Sequence, residues 1–416
     1  MTAINMQLPT VNYRPSIQQP LAQDLCIETP SVSAEDSNER VMDVFTKHRE
    51  LVSLPVTEDG RPIGLISRSI FLSQISKPYH RELYGRKSCI AFMDKEPLIV
   101  DANLDIEALT FKTVEFGEKA LADGFIITRE GRFAGVGHGL QLMRVVADMQ
   151  AARNRQVTHS IEYASVIQRS MLRTSRETLE NALPDADLVW EPRDIVGGDF
   201  YHFAAQPDGW FGAVADCTGH GVPGAFMTLI ASSSLGQAID QMGYGDPSLL
   251  LSNVNRSIKQ MLGQIDGQDA TPESDDGMDA AFFSYNTATR QLLFAGAKSS
   301  LFVLHPGEGG VEMVDGDRKG VGYVNSAMDF AWQNRAVSLQ DGSLVFVTTD
   351  GLIDQIGGPK SIAFGKRRIR EILLANRDHS ASVINQTMLD AFRDWQGPHR
   401  RRDDLTFFCF RIKGLQ

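Results

Sequence analysis

The chain has 416 residues, a formal net charge of −11, 22% charged and 42% hydrophobic residues, which is room for two or three domains of ordinary globular composition. The acidic balance argues against nucleic acid as a partner, because phosphate backbones require a basic face. Cys26, Cys89, Cys217 and Cys409 show no paired zinc or disulfide spacing, no apolar run approaches the roughly 20 residues that span a bilayer, and no basic-then-apolar leader opens the chain, so a cytoplasmic protein without membrane contact is expected.

Residues 1–37, rich in Pro, Gln, Ser and Thr without a period, read as a mobile tail. From Asn38 the spacing of Val41, Val44, Phe45 and His48 predicts a helix, followed by a strand over Leu51–Val56, a turn at Glu58-Asp59-Gly60, a second strand at Gly64–Ser67 and a helix from Arg68. The same order returns in the segment that ends in Phe125–Thr128, a turn at Glu130-Gly131 and Phe133–Gly137. This repeat resembles a CBS-domain pair over residues 38–150. Such pairs often bind adenosine nucleotides through an aspartate past the second strand. Ile70 and Gln141 stand at the corresponding places, so a purely structural or dimerising pair is an equal expectation. Lys77, His80, Arg81, Arg86 and Lys87 are candidates to receive a small anionic or nucleotide ligand, with a solvated basic face as the alternative.

From Gln141 to Leu183 the composition is helical. Leu142, Val146, Met149, Val157, Ile161, Ala164, Ile167 and Met171 recur on steps of three and four, interrupted by Arg153, roughly the seam of a coiled coil, and Leu183-Pro184 ends it. Residues 151–183 form a linker, and either a transmitting helix or a plain dimerising spacer fits. A second domain over 184–416 is expected to open with a strand at Leu188-Val189-Trp190. Helices from Val222 and Pro247 and a polar flap from Gln264 to Asp276 follow. Further strands are predicted at Ala280–Tyr285, Gln291–Ala295, Leu301–Leu304, Leu344–Thr348 and Leu405–Ile412.

Four acidic turns punctuate these strands. Asp199 follows a glycine pair in Val196-Gly197-Gly198-Asp199, and Asp216 ends a strand before the turn Cys217-Thr218-Gly219-His220-Gly221 and a helix opening near Pro223. Asp350 ends an apolar strand before Gly351, and Asp403-Asp404 precede the last one. Together with Gly277–Ala281 and Leu293–Ala297, these segments resemble the SpoIIE-like branch of the metal-dependent PPM protein serine/threonine phosphatases over about the last 230 residues.

The resemblance implies an α+β chain: the CBS-like α/β pair, the helical linker, and an αββα sandwich. It implies two Mn²⁺ or Mg²⁺ ions per site, a choice that all-oxygen ligands favour over zinc, and hydrolysis by an activated water with no covalent intermediate. Asp216 corresponds to the carboxylate that bridges both ions, the Cys217 carbonyl to the backbone ligand, Asp350 and Asp403 to the remaining ligands of one ion, and Asp199 to the ligand of the other. Asp404 is expected to orient Asp403 and Asp279 to cap a strand, although either could join the shell. His220 is expected to start a helix rather than act as an acid. His202 stands where relatives commonly carry a second Asp, and His399–Arg402 and Lys298 could steer a phosphoprotein or be solvated. The implied partner is a phosphorylated STAS-type anti-sigma-factor antagonist or similar switch protein, and the implied assembly is a homodimer. The alternative is an inactive sensor that docks a signalling partner.

Overall fold

The computed structural model describes residues 20–265, 274–307 and 309–413, and the chain divides into two units, Met1–Gln156 and Val157–Gln416. In the first unit the sequence repeat becomes two three-stranded sheets of the same topology. Val32–Ser33 runs parallel to Ser53–Glu58, which pairs antiparallel with Arg61–Ser67. Ile99–Asp101 runs parallel to Phe125–Arg129, which pairs antiparallel with Arg132–Gly137. Both hairpins close on two left-handed residues, Asp59-Gly60 (φ 50° and 76°) and Glu130-Gly131 (φ 53° and 75°), the turn whose twist matches paired strands.

Composition assigned residues 20–37 to the mobile tail, but they pack in this unit. Ala22 and Leu25 are buried in the core of the second repeat, and the Ile27 and Val136 amides each donate to the other's carbonyl at 3.0 and 2.9 Å. Backbone ladders of this kind leave no side-chain period. Residues 1–19 of that expected tail lie outside the described residues, as do residues 266–273 of the expected flap.

The helix expected over 141–183 spans Gly139–Ala182. Its buried stripe in the second unit is Ser165, Gln168, Leu172, Ser175 and Leu179, one position away from the apolar seam that the sequence suggests. Val157 and Ile167 of that seam are 55% and 53% exposed. Three of the five buried residues are polar, which is why a search for apolar spacing selects the neighbouring face.

The second unit holds two five-stranded antiparallel sheets. One runs in the order Arg335–Ser338, Gln291–Ala297, Met278–Asn286, Gly209–Cys217, Asp199–Gln206. The other runs Glu312–Asp315, Ser300–Leu304, Leu344–Thr348, Leu405–Arg411, Ala186–Glu191. The last strand, Leu405–Arg411, is buried on both faces. Phe408 and Phe410 meet the other sheet, Phe410 lying 4.9 Å edge-on to Trp210 and Phe408 stacked 6.0 Å from Phe283, whereas Leu405, Phe407 and Cys409 face Ile369, Leu373, Ile384, Met388 and Phe392 of the helices Gly365–Ala375 and Ala381–Gln396. Period-two alternation thus interleaves the sheets on one side and seats a helix layer on the other. The sequence reading passed over these two helices, although Ile384, Met388 and Phe392 keep the i, i+4, i+8 spacing.

The opposite layer is made by Gly221–Met242 and Pro247–Leu262, completing the αββα order. Gly221–Met242 does reach the length and mean hydropathy, 22 residues and 1.2, of a membrane span, contrary to the expectation that no apolar run approaches it. Met227, Ala231, Leu235 and Ala238 nevertheless pack it on the sheet core, while Phe226 and Leu229 on its outer side are exposed.

His202, on the strand Asp199–Gln206, faces this layer. It alternates away from Asp199, its ring stacked 6.5 Å from Tyr244 and 6.1 Å from Phe211, with Nε2 buried and unpartnered. Burial pushes its pKa down to about 4. The folded state therefore holds the neutral ring while the unfolded chain takes up a proton below about 6.5, so stability falls with falling pH between those values. We expect His202→Gln to flatten the decline in thermal stability between pH 6.5 and 4.5 by about 2 kcal/mol, read from melting curves across that range.

Candidate active site

Both sheets deliver their acids to one end of the sandwich. Register does this in the first: Asp199 is opposite Asp216, and Asp216 is opposite Asp279, on three adjacent strands. Directly opposed residues share a face, here the one turned to the second sheet. Asp350 follows the strand Leu344–Thr348 and Asp403-Asp404 precede its neighbour Leu405–Arg411. The Thr349 hydroxyl joins the sheets by donating 2.9 Å to Asp199 Oδ2.

The acids repel one another. Asp199 is fully buried and its pKa is raised, first by burial and then by Asp404. Asp216 is likewise raised by burial, then by Asp199 and Asp350. Asp199 Oδ1 is buried with no hydrogen-bond partner, although buried polar atoms are almost always satisfied. An orphaned oxygen among mutually repelling carboxylates fits a site for hard cations.

Asp404 serves differently from its neighbour. Its two oxygens accept the backbone amides of Arg193 and Gly198 at 2.5 and 2.6 Å, and its own amide donates 2.9 Å to Asp403 Oδ1. It fixes the Asp199 turn and orients Asp403. Asp279, expected to cap a strand, is the second residue of Met278–Asn286, paired in the ladder opposite Asp216, with Lys298 Nζ 3.2 Å from its Oδ1. His220 is the helix N-cap residue and pairs at 2.9 Å with Asp194. Within His399–Arg402, Arg401 is tied to Glu191 and to the Asp403 carbonyl, so this part of the run braces the site from behind.

Glycine makes the turns possible. A Cβ on Gly198 would lie 2.5 Å from the Gly219 carbonyl and 2.7 Å from the Cys217 carbonyl, and one on Gly351 would overlap the Asp404 carbonyl. Sequence reasoning missed Gln168, whose side-chain amide both donates to the Gly197 carbonyl (2.7 Å) and accepts the Gly197 amide (3.2 Å), and Thr228, which donates to the Gly198 carbonyl at 2.9 Å. It also missed Lys259, a fully buried lysine that donates 2.9 Å to the Tyr323 carbonyl. A polar residue inside an apolar helical stripe was the available signal for Thr228 and Lys259, whereas Gln168 lies on a mostly polar stripe that gave none.

A sequence model of the Stage II sporulation protein E (SpoIIE) family matches residues 206–413. The chain belongs to the SpoIIE family. A CBS-domain model matches residues 22–77, which places residues 22–37 of the expected tail inside that domain. The SiaA-PP2C domain of Pseudomonas aeruginosa is 35% identical, with a TM-score of 0.57 covering 63% of this chain and all of that one. Phosphoserine phosphatase RsbU of Bacillus subtilis (strain 168) is 24% identical over 204 residues, which are 48% of this chain and 55% of RsbU, so the match spans about half of that relative.

In this SpoIIE-family unit the glycine turn at Gly197-Gly198 sets the relation of Asp199 to the Cys217 carbonyl. Gly198→Ala is expected to force the two turns apart, costing about 1–3 kcal/mol, visible as a lowered melting temperature and, if the acids bind divalent cations, as weakened Mn²⁺ binding in calorimetry.

Proposed function

We propose that this chain is a metal-dependent protein phosphatase that hydrolyses phosphoserine or phosphothreonine on a bacterial signalling protein, of the STAS type or a similar partner-switching protein, under control of its CBS-containing N-terminal unit. The observation that carries this reading is the convergence of Asp199, Asp216, Asp350 and Asp403 from four separate segments around a buried, unpartnered Asp199 oxygen. Asp199, Asp216, the Cys217 carbonyl, Asp350 and Asp403 would hold two Mn²⁺ or Mg²⁺ ions, which when bound supply an activated water and offset charge on the phosphoryl oxygens. The register of Asp216 opposite Asp199, with Asp350 among the acids that raise its pKa, supports the reading in which Asp216 would serve both ions. Burial, reinforced by Asp216, pushes the Cys217 thiol far up, which suits a carbonyl rather than a thiolate ligand. His202, the one feature favouring an inactive docking protein, faces the helix layer and takes nothing from the acid shell.

For the regulatory unit we propose a small ligand in the cavity of about 520 Å³ lined by Ser67, Ile70, His80, Asp94, Lys119 and Asp123, a volume that suits a nucleotide-sized molecule. Of the five basic residues expected to receive an anion, only His80 lines it. Lys77 is bound to Gln74 and Lys87 lies over Tyr84. A cytoplasmic setting fits the four free cysteines. A homodimer through the linker helix is supported by Val157, Val166 and Ile167, which are 55%, 57% and 53% exposed. Val166→Asp with Ile167→Asp is then expected to yield monomers in sedimentation analysis, and a wild-type monomer would refute the dimer.

The decisive assay is hydrolysis of p-nitrophenyl phosphate and of a phosphorylated STAS protein with Mn²⁺ or Mg²⁺. Asp216→Asn is expected to lose at least about 100-fold in kcat/KM, the scale of several kcal/mol of transition-state stabilisation. Absence of turnover on both substrates with either metal would leave the docking protein as the better reading.

A further inference from the structure

Beside the acids lies a small cavity whose walls differ in charge. Asp216, Asp279 and Asp350 line it together with Lys298, Ser300, Thr349 and Lys366. The two lysines arrive by unrelated routes. Lys298 occupies the short link between Gln291–Ala297 of one sheet and Ser300–Leu304 of the other, and it holds a left-handed backbone, φ 55°, that costs a side-chain-bearing residue energy. Its amide is fastened to the Asp317 carbonyl at 2.7 Å. Its ammonium lies 3.2 Å from Asp279 and 4.3 Å from the centre of the Tyr323 ring. Lys366, in the first turn of Gly365–Ala375, donates 3.0 Å to the Ser300 hydroxyl, which itself donates 2.8 Å to Asp315. Lys366 makes no ion pair among the described residues, so its remaining donors are unspent on protein carboxylates.

An ammonium directed into a cavity rimmed by acids would ordinarily be drawn into an ion pair. Lys366 instead donates to a neutral hydroxyl, that of Ser300, which keeps its charge available to a ligand. We propose that Lys366 and Lys298 form an anion seat for the phosphate monoester, gripping its non-bridging oxygens. This rests on the phosphatase reading of the same site and adds to it the residues that hold the phosphoryl group. Lys366 is the primary donor, and Lys298, already shared with Asp279, couples that acid to the bound phosphate. The loop carrying Tyr323 belongs to the same device, because buried Lys259 and the Gln264 amide, which donates 2.6 Å to the Gly322 carbonyl, hold it in place.

The test compares the full-length wild type with Lys366→Met, Lys298→Met and Lys366→Arg in Mn²⁺, measuring binding of inorganic phosphate by calorimetry and its inhibition of phosphopeptide hydrolysis. A charged hydrogen-bond donor to phosphate is worth about tenfold or more in affinity. Phosphate binding and the inhibition constant should therefore weaken by that factor in Lys366→Met, by a similar or smaller one in Lys298→Met, and recover substantially in Lys366→Arg. Unchanged phosphate affinity in both methionine variants, with native circular dichroism, would overturn the seat. So would a raised KM for the phosphopeptide alone, since the lysines would then be reading an acidic neighbour in the substrate protein. Calorimetry decides the seat even if no turnover occurs, whereas absent turnover in the wild type would count against the phosphatase reading alone.

Discussion

Like charges brought to one place, and the need to hold them there, govern this structure. Asp199, Asp216 and Asp279 stand side by side because three strands are in fixed register, and Asp350, Asp403 and Asp404 reach the same end from the facing sheet. Desolvation and mutual repulsion raise the pKa values of Asp199 and Asp216, a cost that side-chain hydrogen bonds relieve only in part. The opposing stabilisation comes from the sandwich itself, where Trp210, Phe283, Phe408 and Phe410 interdigitate and make the strand ends too rigid to spread. Rigid strand ends carrying unfavourable charge are what a preorganised cation site requires.

The polar residues that look misplaced in the helices follow from the same need. The turn before Asp199 must bring its backbone against the Cys217 and Gly219 carbonyls, so Gly197 and Gly198 carry no side chain and their polar groups need partners. Gln168 from the long helix, Thr228 from the helix after Asp216, and Asp404 from the facing sheet supply them. Each is buried, and each ties a different layer of the sandwich to one turn. On the other flank, Lys259, Asn255 and Gln264 hold the 320–326 loop against the helix Pro247–Leu262, and through Tyr323 and Lys298 that loop reaches Asp279.

The N-terminal unit obeys a simpler rule. Its two sheets share a parallel–antiparallel topology, the same left-handed pair at the hairpin and a register shift at equivalent places, Val56/Thr57 and Ile127/Thr128. Duplication of a strand–turn–strand unit produces two modules that each bury one face, and the segment Pro20–Ser37 completes them by adding a 3₁₀ turn to one core and a strand to the other sheet.

The sequence by itself determined the elements with strong local signals: the repeated hairpins, the long helix, the buried strands and the four acidic turns. Each is a short-range pattern, apolar alternation or glycine beside aspartate, and such patterns survive in one dimension. Tertiary structure alone decided which acids stand together, that Asp279 faces the cluster while His202 turns away, and that Asp404 clamps a turn. It also decided that the helix buries Gln168 rather than Ile167, and that residues 20–37 fold into the first unit. These outcomes depend on strand register and on backbone hydrogen bonds between segments as far apart as Gly198 and Asp404. A one-residue change of register would reverse every face, and no local pattern records it.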